Sequence, residues 1–523
     1  MANVSEKIIC NKDMDDYKKS VLWSLMNLFL IIGSFLLIFK FNMPRKIILA
    51  NRLPGPRWWY VLKLLLNVIN RPESIIKTIN DIYNQYEKSL FKIWFGPFLC
   101  IVPTKPEDVC AILNHPNLQK KGIILNPLRE SYVGDNITTI DDLQKWKIHR
   151  YAAFKCISFN NGKTFTSLIS KEAVALVDYF KPTQQDKTND YEIYIPIYKM
   201  HLKIYEAAIF GENVANEIDV NHDIIIQNMK DTSNTITYRI FNPWYFSKSI
   251  FKISTFYEKN IKNIIILHNY INKLFKKSEI GKVKQNIDKT KGNTFIEIME
   301  KVDKLTDEDT RNLAFVLLGA GSDTASVTIS NIIFLMSYHS DIQNKVFVEQ
   351  NKIFSSGYPN RRPTYEDLHQ MKYLEQVINE TLRIRSTTPF TVRYVEEEIS
   401  VGGYLLPAGS ILLICVANLH KSHLYYKDPE KFNPDNFSPD ECLSRHPNSF
   451  MPFGLGPRNC VGKRFAMIQM KVIISTLIRN YHFHFSEKYS KPEDLIANYS
   501  ITQTFDEGCY VKFKQRENNI YPV

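Results

Sequence analysis

Ten residues near the C-terminal end of this 523-residue chain constrain it more than any other stretch: Phe453-Gly-Leu-Gly456-Pro-Arg458-Asn-Cys460-Val-Gly462. A cysteine sulfur that acts as an anionic ligand needs weak competition from the proton, shielding from water and room for its partner. Cys460 sits just before an amphipathic run, Val461 to Leu477, so it lies near a helix N-terminus. There the helix dipole and free N–H groups favour the thiolate. Phe453 can cover the sulfur, Gly456 permits a tight turn, and Gly462 lets a flat partner approach the backbone. Read alone, the segment also fits a buried free cysteine in a glycine-rich turn. The other seven cysteines are scattered with no C-x-x-C pair, which argues against a disulfide framework.

Three patterns precede that loop. Ala320-Gly321-Ser322-Asp323-Thr324 interrupts an apolar run from Asn312 to Met336, ahead of which Thr306 and Asp309 form a helix-capping pair. Gly321 removes a side chain there and leaves space, while Thr324 and Asp323 bring a hydroxyl and a carboxyl suited to moving protons. Glu380-Thr-Leu-Arg383 places opposite charges three residues apart on one helix face. Trp146-Lys-Ile-His-Arg150 sets an indole and a guanidinium at i and i+4, also on one face. His149, between them, reads as solvated or hydrogen-bonded rather than as a ligand. Ser340 and Thr364 can cap further helices, the second running to about Ile384. Strand-like pieces occur at Ser410–Val416 and Gly508–Phe513. Within 258–293, the first part reads as an amphipathic helix and the tail from Lys276 as an exposed loop.

In this order and spacing the patterns resemble the cytochrome P-450 superfamily of microsomal type, and Asn459 to Met467 is similar to insect family-4-like members. The resemblance implies a mainly α cytochrome P-450 fold with small β-sheets. It implies non-covalent haem b, its iron held axially by Cys460, with Phe453, Gly456 and Gly462 shaping the loop and Arg458 pairing with a propionate. Trp146, Arg150 and Arg393 fall on the propionate side. Gly321, Asp323 and Thr324 become the groups that meet O2 and its protons. Glu380 and Arg383 become a buried pair bracing the cysteine loop. Asn436, in Pro434-Asp435-Asn436-Phe437, stands where the family often has arginine, so that network is altered. Ala320 stands where many family-4 members carry a glutamate that esterifies the haem, hence the non-covalent expectation. Substrate contacts carried over by position are Phe315, Leu318, Ala320, Phe390, Val392 and Ile501, with the segment Ile123–Thr139.

Val21–Phe39 is uncharged over 19 residues, which nearly spans a bilayer core of about 30 Å. Lys40, Arg45, Lys46, Arg52 and Arg57 follow it, whereas residues 1–20 carry four lysines against four acids. The expected arrangement is a short luminal N-terminus (1–20), a single transmembrane anchor (21–39), a basic, proline-stiffened hinge (40–56) and one catalytic domain (57–523) facing the cytosol at the endoplasmic reticulum. The formal net charge of +12 comes with no zinc-knuckle, homeodomain-like or RNA-recognition signature, so nucleic acid is not an expected partner.

The implied activity is insertion of one atom of O2 into a lipophilic substrate: fatty acid, terpenoid, hydrocarbon or xenobiotic. Electrons are expected from NADPH through a membrane reductase, or from a cytochrome b-type donor, with Lys463, Arg464 and Lys471 as docking cations. Two other readings stay open at this level: a haem-thiolate isomerase or dehydratase that needs no reductase, and a non-catalytic haem or lipid carrier.

Overall fold

Thr306 accepts a hydrogen bond from the Asp309 amide while Asp309 reaches back to the Thr306 amide, closing the capping box. From that start a single helix, Asp307–Tyr338, runs through the interior. It is apolar around most of its circumference because other elements bury it on nearly every side. Among the described residues it alone is long and apolar enough to cross a membrane, and 78% of its most apolar window is buried in protein.

The computed structural model describes residues 26, 44–57 and 74–516, except 88, 96–97, 132–133, 160–161, 182–189, 285–293, 356–360, 496–497, 500 and 506. The expected anchor therefore lies outside the described residues save for Met26. The described part of the hinge packs onto the globule. Lys92 N donates to Pro54 O at 2.8 Å, and a Cβ on Gly55 would stand 2.3 Å from Lys92 O. Arg45 pairs with Glu398, and Lys46 donates to Gly409 O at 2.8 Å. Residues 44–57 are thus docked on the globule.

Strands Phe91–Phe95, Phe98–Val102, Ile411–Cys415 and Phe390–Tyr394 form one sheet in that order. The middle pair is parallel, with Cys100 opposite Ile411, and the outer pairs are antiparallel. A second sheet joins Asp190–Glu192, Tyr510–Gln515 and Tyr481–Phe485. One large core takes in the second sheet and is built by helices Leu143–Phe159, Gly162–Tyr179, Tyr194–Phe210, His222–Phe241, Thr255–Lys284, Asp307–Tyr338 and Lys463–Asn480. A mainly α fold with small sheets is what the sequence leads one to expect.

Three local expectations need correction. The helix Thr255–Lys284 continues nine residues into the predicted loop. The spacing of Leu267, Tyr270, Ile271, Leu274 and Ser278, all buried, carries one face past the polar composition. Ser340 is the first residue of its helix rather than a cap, and His339 precedes it without a side-chain cap. Thr364 does close a capping box, but its helix stops at Leu368 and a separate one spans Lys372–Ile384.

Candidate active site

The cysteine loop is held by its own backbone. Cys460 N donates to Phe453 O at 2.7 Å, Asn459 N to Gly456 O at 3.1 Å and Gly454 N to Met451 O at 3.0 Å. Gly456 takes φ +70°, and a Cβ there would meet Leu113 O at 2.2 Å, so both conformation and crowding demand glycine. The helix begins at Lys463, and the Gly462 and Lys463 amides both donate to the Cys460 sulfur. Burial pushes the thiol pKa up, while those amides, Arg150 and Lys463 pull it down. Cys460 nevertheless keeps accessible surface. A sulfur that is desolvated yet accessible faces an interior cleft. Beside it, a Cβ on Gly462 would meet only that sulfur, at 3.7 Å, so the space in front is open.

A cluster of cations lines one edge. Arg393 is fully buried and Arg458 half-buried; the Nε of each has no partner among the described residues. Burial lowers both pKa values to about 10, with Arg458 adding repulsion at Arg393 and Arg150 at Arg458, where Asp141 pulls the other way. Lys121 joins them: burial first, then Arg393 and Arg458, push its pKa well down. The nearby acid, Asp141, is engaged by the Lys121 and Gly122 amides and by Arg129. Buried cations without anions imply a missing anionic partner, since unpaired buried charge is costly. An accessible sulfur, open space in front of it and buried cations at the edge fit a flat macrocycle with two carboxylates. The residues present fit haem.

Trp146 and Arg150 take different roles than their shared face suggests. Trp146 is buried and stacks on Arg458 at 4.3 Å, holding that guanidinium. Arg150 instead grips the cysteine loop, donating to Asn459 O at 2.6 Å and Asn459 Oδ1 at 2.5 Å. His149 is buried, within 3.2 Å of Asp309 Oδ1, rather than solvated.

In the long helix, Ala320 is exposed and Gly321, Asp323 and Thr324 half-buried, although the turns on either side are buried. This segment faces a cleft. Thr324 Oγ1 donates to Ala320 O at 2.9 Å, and Ser326 and Thr328 likewise bond back to the carbonyls four residues earlier. Such bonds loosen and bend a helix. Asp323 points away from Ala320: Tyr194 Oη donates to its Oδ1 at 3.3 Å and Thr502 Oγ1 to its Oδ2. Burial raises its pKa, opposed by those two donors. The expectation that Gly321 leaves room for oxygen fails. Its missing side chain is replaced by the ring of Tyr205, whose Cζ would lie 2.1 Å from a Cβ.

Glu380 and Arg383 are fully buried and bidentate, with both contacts at 2.7 Å. Arg383 also donates to the carbonyls of His420, Pro429 and Lys431. Asn436 completes the network as an amide, donating to Glu380 Oε1 at 3.1 Å beside the Asn433 amide at 2.8 Å. Arg445, nine residues on, donates to Asn436 O at 2.9 Å, and it and Arg383 both contact the Tyr426 ring. The bracing network is closed without an arginine at 436.

An apolar cavity of about 310 Å³ lies against the four-stranded sheet and takes in Phe390, Val392 and Ile501, with Ile124, Leu125, Leu128 and Thr138 of the expected segment. Phe315 and Leu318 are not among its walls. Both are buried, Phe315 against His268 and Leu318 in the core on the side opposite Ala320. Lys471 is also unavailable for docking: it is buried, bound to Leu368 O and Glu375, whereas Lys463 and Arg464 are exposed. Sequence reasoning missed Lys121 and Tyr205. Lys121 carries no motif, and Tyr205 is an ordinary helix residue whose neighbours are remote in sequence.

The family model for cytochrome P450 matches residues 53–504. The cockroach Blattella germanica has a protein named Cytochrome P450 4c21 that is 29% identical over 83% of this chain and 88% of its own length. Probable cytochrome P450 4e1 of Drosophila melanogaster is 25% identical over 95% of this chain and 99% of its own. Cytochrome P450 4V2 of Rattus norvegicus is 27% identical over 82% and 83%.

Proposed function

Because the chain belongs to the cytochrome P450 family, we propose that Cys460 and the residues converging on its cleft carry out that family's haem-dependent monooxygenation. The protein is a haem-thiolate monooxygenase acting on lipophilic compounds. When bound, the haem supplies reductive activation of O2, one atom going to the substrate and the other leaving as water with two protons and two electrons.

The chain's own residues support that chemistry in distinct ways. Cys460 holds the iron, and the Gly462 and Lys463 amides stabilise its sulfur as an anion. Lys121, Arg393 and Arg458 hold the two propionates, with Trp146 fixing Arg458. Arg150 and the Glu380–Arg383–Asn436 network keep the loop in place. Phe453 covers the sulfur with a half-buried ring. On the other face Thr324, anchored to Ala320 O, presents its hydroxyl to the cleft, and Asp323 holds a proton reserve tied to Tyr194 and Thr502. Ala320 offers no carboxylate, so the haem stays non-covalent.

Electrons arrive from NADPH through a membrane reductase that meets the exposed Lys463 and Arg464. The charge pattern around 21–39 supports a catalytic domain on the cytosolic side of the endoplasmic reticulum membrane. The single observation that carries the proposal is the accessible yet desolvated Cys460 sulfur with two amides aimed at it.

The test is the carbon monoxide difference spectrum of the reduced protein. Wild type gives the band of a thiolate-ligated haem, and Cys460→Ser loses it. A wild type without that band overturns the assignment. Sustained NADPH consumption with reductase and substrate separates monooxygenation from reductase-free rearrangement and from a passive carrier.

A further inference from the structure

Asp323 is held by a segment remote from it in sequence. The short strands Asn498–Tyr499 and Gln503–Thr504 pair antiparallel, with Gln503 opposite Tyr499 and Thr504 opposite Asn498. Thr502, whose hydroxyl donates to Asp323 Oδ2, directly precedes the second strand. Two rungs specify register weakly, and a slip of one residue turns every side chain to the other face. The ladder alone does not keep Thr502 on the carboxylate.

Gln503 supplies the missing anchor. It is fully buried; its backbone N donates to Thr387 O at 3.0 Å, and its Oε1 accepts from Asn331 Nδ2 at 3.0 Å. Asn331, also fully buried, lies in the long helix eight residues after Asp323, about 12 Å further along its axis. A third tie falls between them. Thr328 Oγ1 gives its one proton to Thr324 O at 2.8 Å, so Thr387 Oγ1 donates to Thr328 Oγ1 at 2.9 Å. The hairpin therefore meets the long helix directly at 323 and 331, and through Thr387 at 328.

The amide pair is a destabilising way to fill space. Asn331 Oδ1 and Gln503 Nε2 are buried with no partner among the described residues, and apolar side chains of the same size would leave no such groups. What apolar side chains lack is direction, which a buried hydrogen bond provides.

We propose that Gln503 is a positioning residue for the proton step: anchored to Asn331 and Thr387, it keeps the Thr502 hydroxyl on the Asp323 carboxylate and so sets the pH range over which Asp323 yields and regains a proton. This rests on the monooxygenase reading and deepens its proton supply. Tyr194, from the helix Tyr194–Phe210, donates to Asp323 Oδ1 at 3.3 Å, and Lys230, from His222–Phe241, adds a positive charge. With Thr502 they favour the carboxylate, against burial. Losing the Thr502 bond therefore moves the Asp323 titration to higher pH.

The test is a difference infrared titration of the haem-loaded protein without substrate, reading the protonated carboxyl band that Asp323→Asn removes. Gln503→Leu should raise the midpoint by about half to one pH unit, as Thr502→Val does, and the two together should raise it no further. An unmoved midpoint in Gln503→Leu overturns the proposal, and so does a shift that adds to that of Thr502→Val. Gln503→Asn, a shorter amide that serves if the leucine variant does not fold, should shift the midpoint likewise. Adding Asn331→Gln to it rebuilds the amide pair across the same gap and should return the midpoint to the wild-type value; a double variant still shifted also overturns the proposal. The carbon monoxide band of the same samples keeps the two questions apart: its absence in wild type refutes haem ligation, and its presence with any adverse result refutes only the role of Gln503.

Discussion

Replacing Gly321 by alanine tests whether the gap in the long helix is a chamber or a socket. The added Cβ would lie 2.1 Å from Cζ, 2.3 Å from Oη and 2.5 Å from Cε1 of Tyr205. That ring has nowhere to retreat. Tyr205 is buried and packs edge-on against Phe465 at 5.3 Å, and Phe465 in turn meets Phe165 at 4.6 Å. Overpacking of this severity falls at the upper end of its usual range, about 3 kcal/mol. Alanine in place of glycine inside a helix returns about 1 kcal/mol. The predicted net loss is about 2 kcal/mol. Tyr205→Leu removes the clashing atoms, and in that background Gly321→Ala should become neutral or stabilise by up to about 1 kcal/mol. The assay is a double-mutant cycle on denaturant unfolding of the haem-loaded protein, followed by helical circular dichroism. The same destabilisation in both backgrounds would refute the socket. A double variant that regains stability yet still fails to couple NADPH to product would restore the role the sequence first suggests for Gly321, room for oxygen.

Three further predictions follow from the same contacts. Glu380→Gln leaves Arg383 buried without its counter-charge and should cost about 3–5 kcal/mol with loss of haem, whereas Asn436→Ala, which removes one hydrogen bond to Glu380, should cost about 1.5–3 kcal/mol; both are read from unfolding and haem retention. His420 receives the Met451 amide at 2.9 Å, and burial, reinforced by Arg383, holds its pKa at about 3. Its folded pKa lies below the unfolded value of about 6.5, so its contribution is complete above that value. As pH falls from there towards about 3, stability drops by about 1.4 kcal/mol per unit, and His420→Asn should flatten that slope. Removing either donor to Asp323, by Thr502→Val or Tyr194→Phe, destabilises the carboxylate. The inflection reporting Asp323 in the pH profile of product coupling should therefore move to higher pH, and Thr502→Ser should restore it. An unmoved inflection would remove Asp323 from proton supply.

Much of the site was readable where neighbours in sequence are neighbours in space. The cysteine loop, its helix start and the Thr306 capping box depend on residues a few positions apart, so pattern and geometry coincide. The Glu380–Arg383 pair is one helical turn, and its partner at 436 was placed by the family resemblance. Reading failed where direction matters more than identity. Phe315 and Leu318 lie in the correct helix but face other packing partners, and Arg150 shares a face with Trp146 yet grips Asn459. The polar tail after Lys276 looked like a loop because composition was weighed over the spacing of its buried face.

By itself, then, the sequence determined the mainly helical class and the chemistry of the family and pointed to Cys460 as the ligand sulfur, because these rest on short-range spacing and on residue types with few substitutes. Tertiary structure alone decided which cations converge and which ring fills the place of a missing side chain. Lys121 stands more than 250 residues from Arg393 and Arg458, as Tyr205 stands more than a hundred from Gly321, and only packing brings them together. Burial then gives each its meaning, since a charge or hydroxyl removed from water must find its partner wherever the fold has placed one.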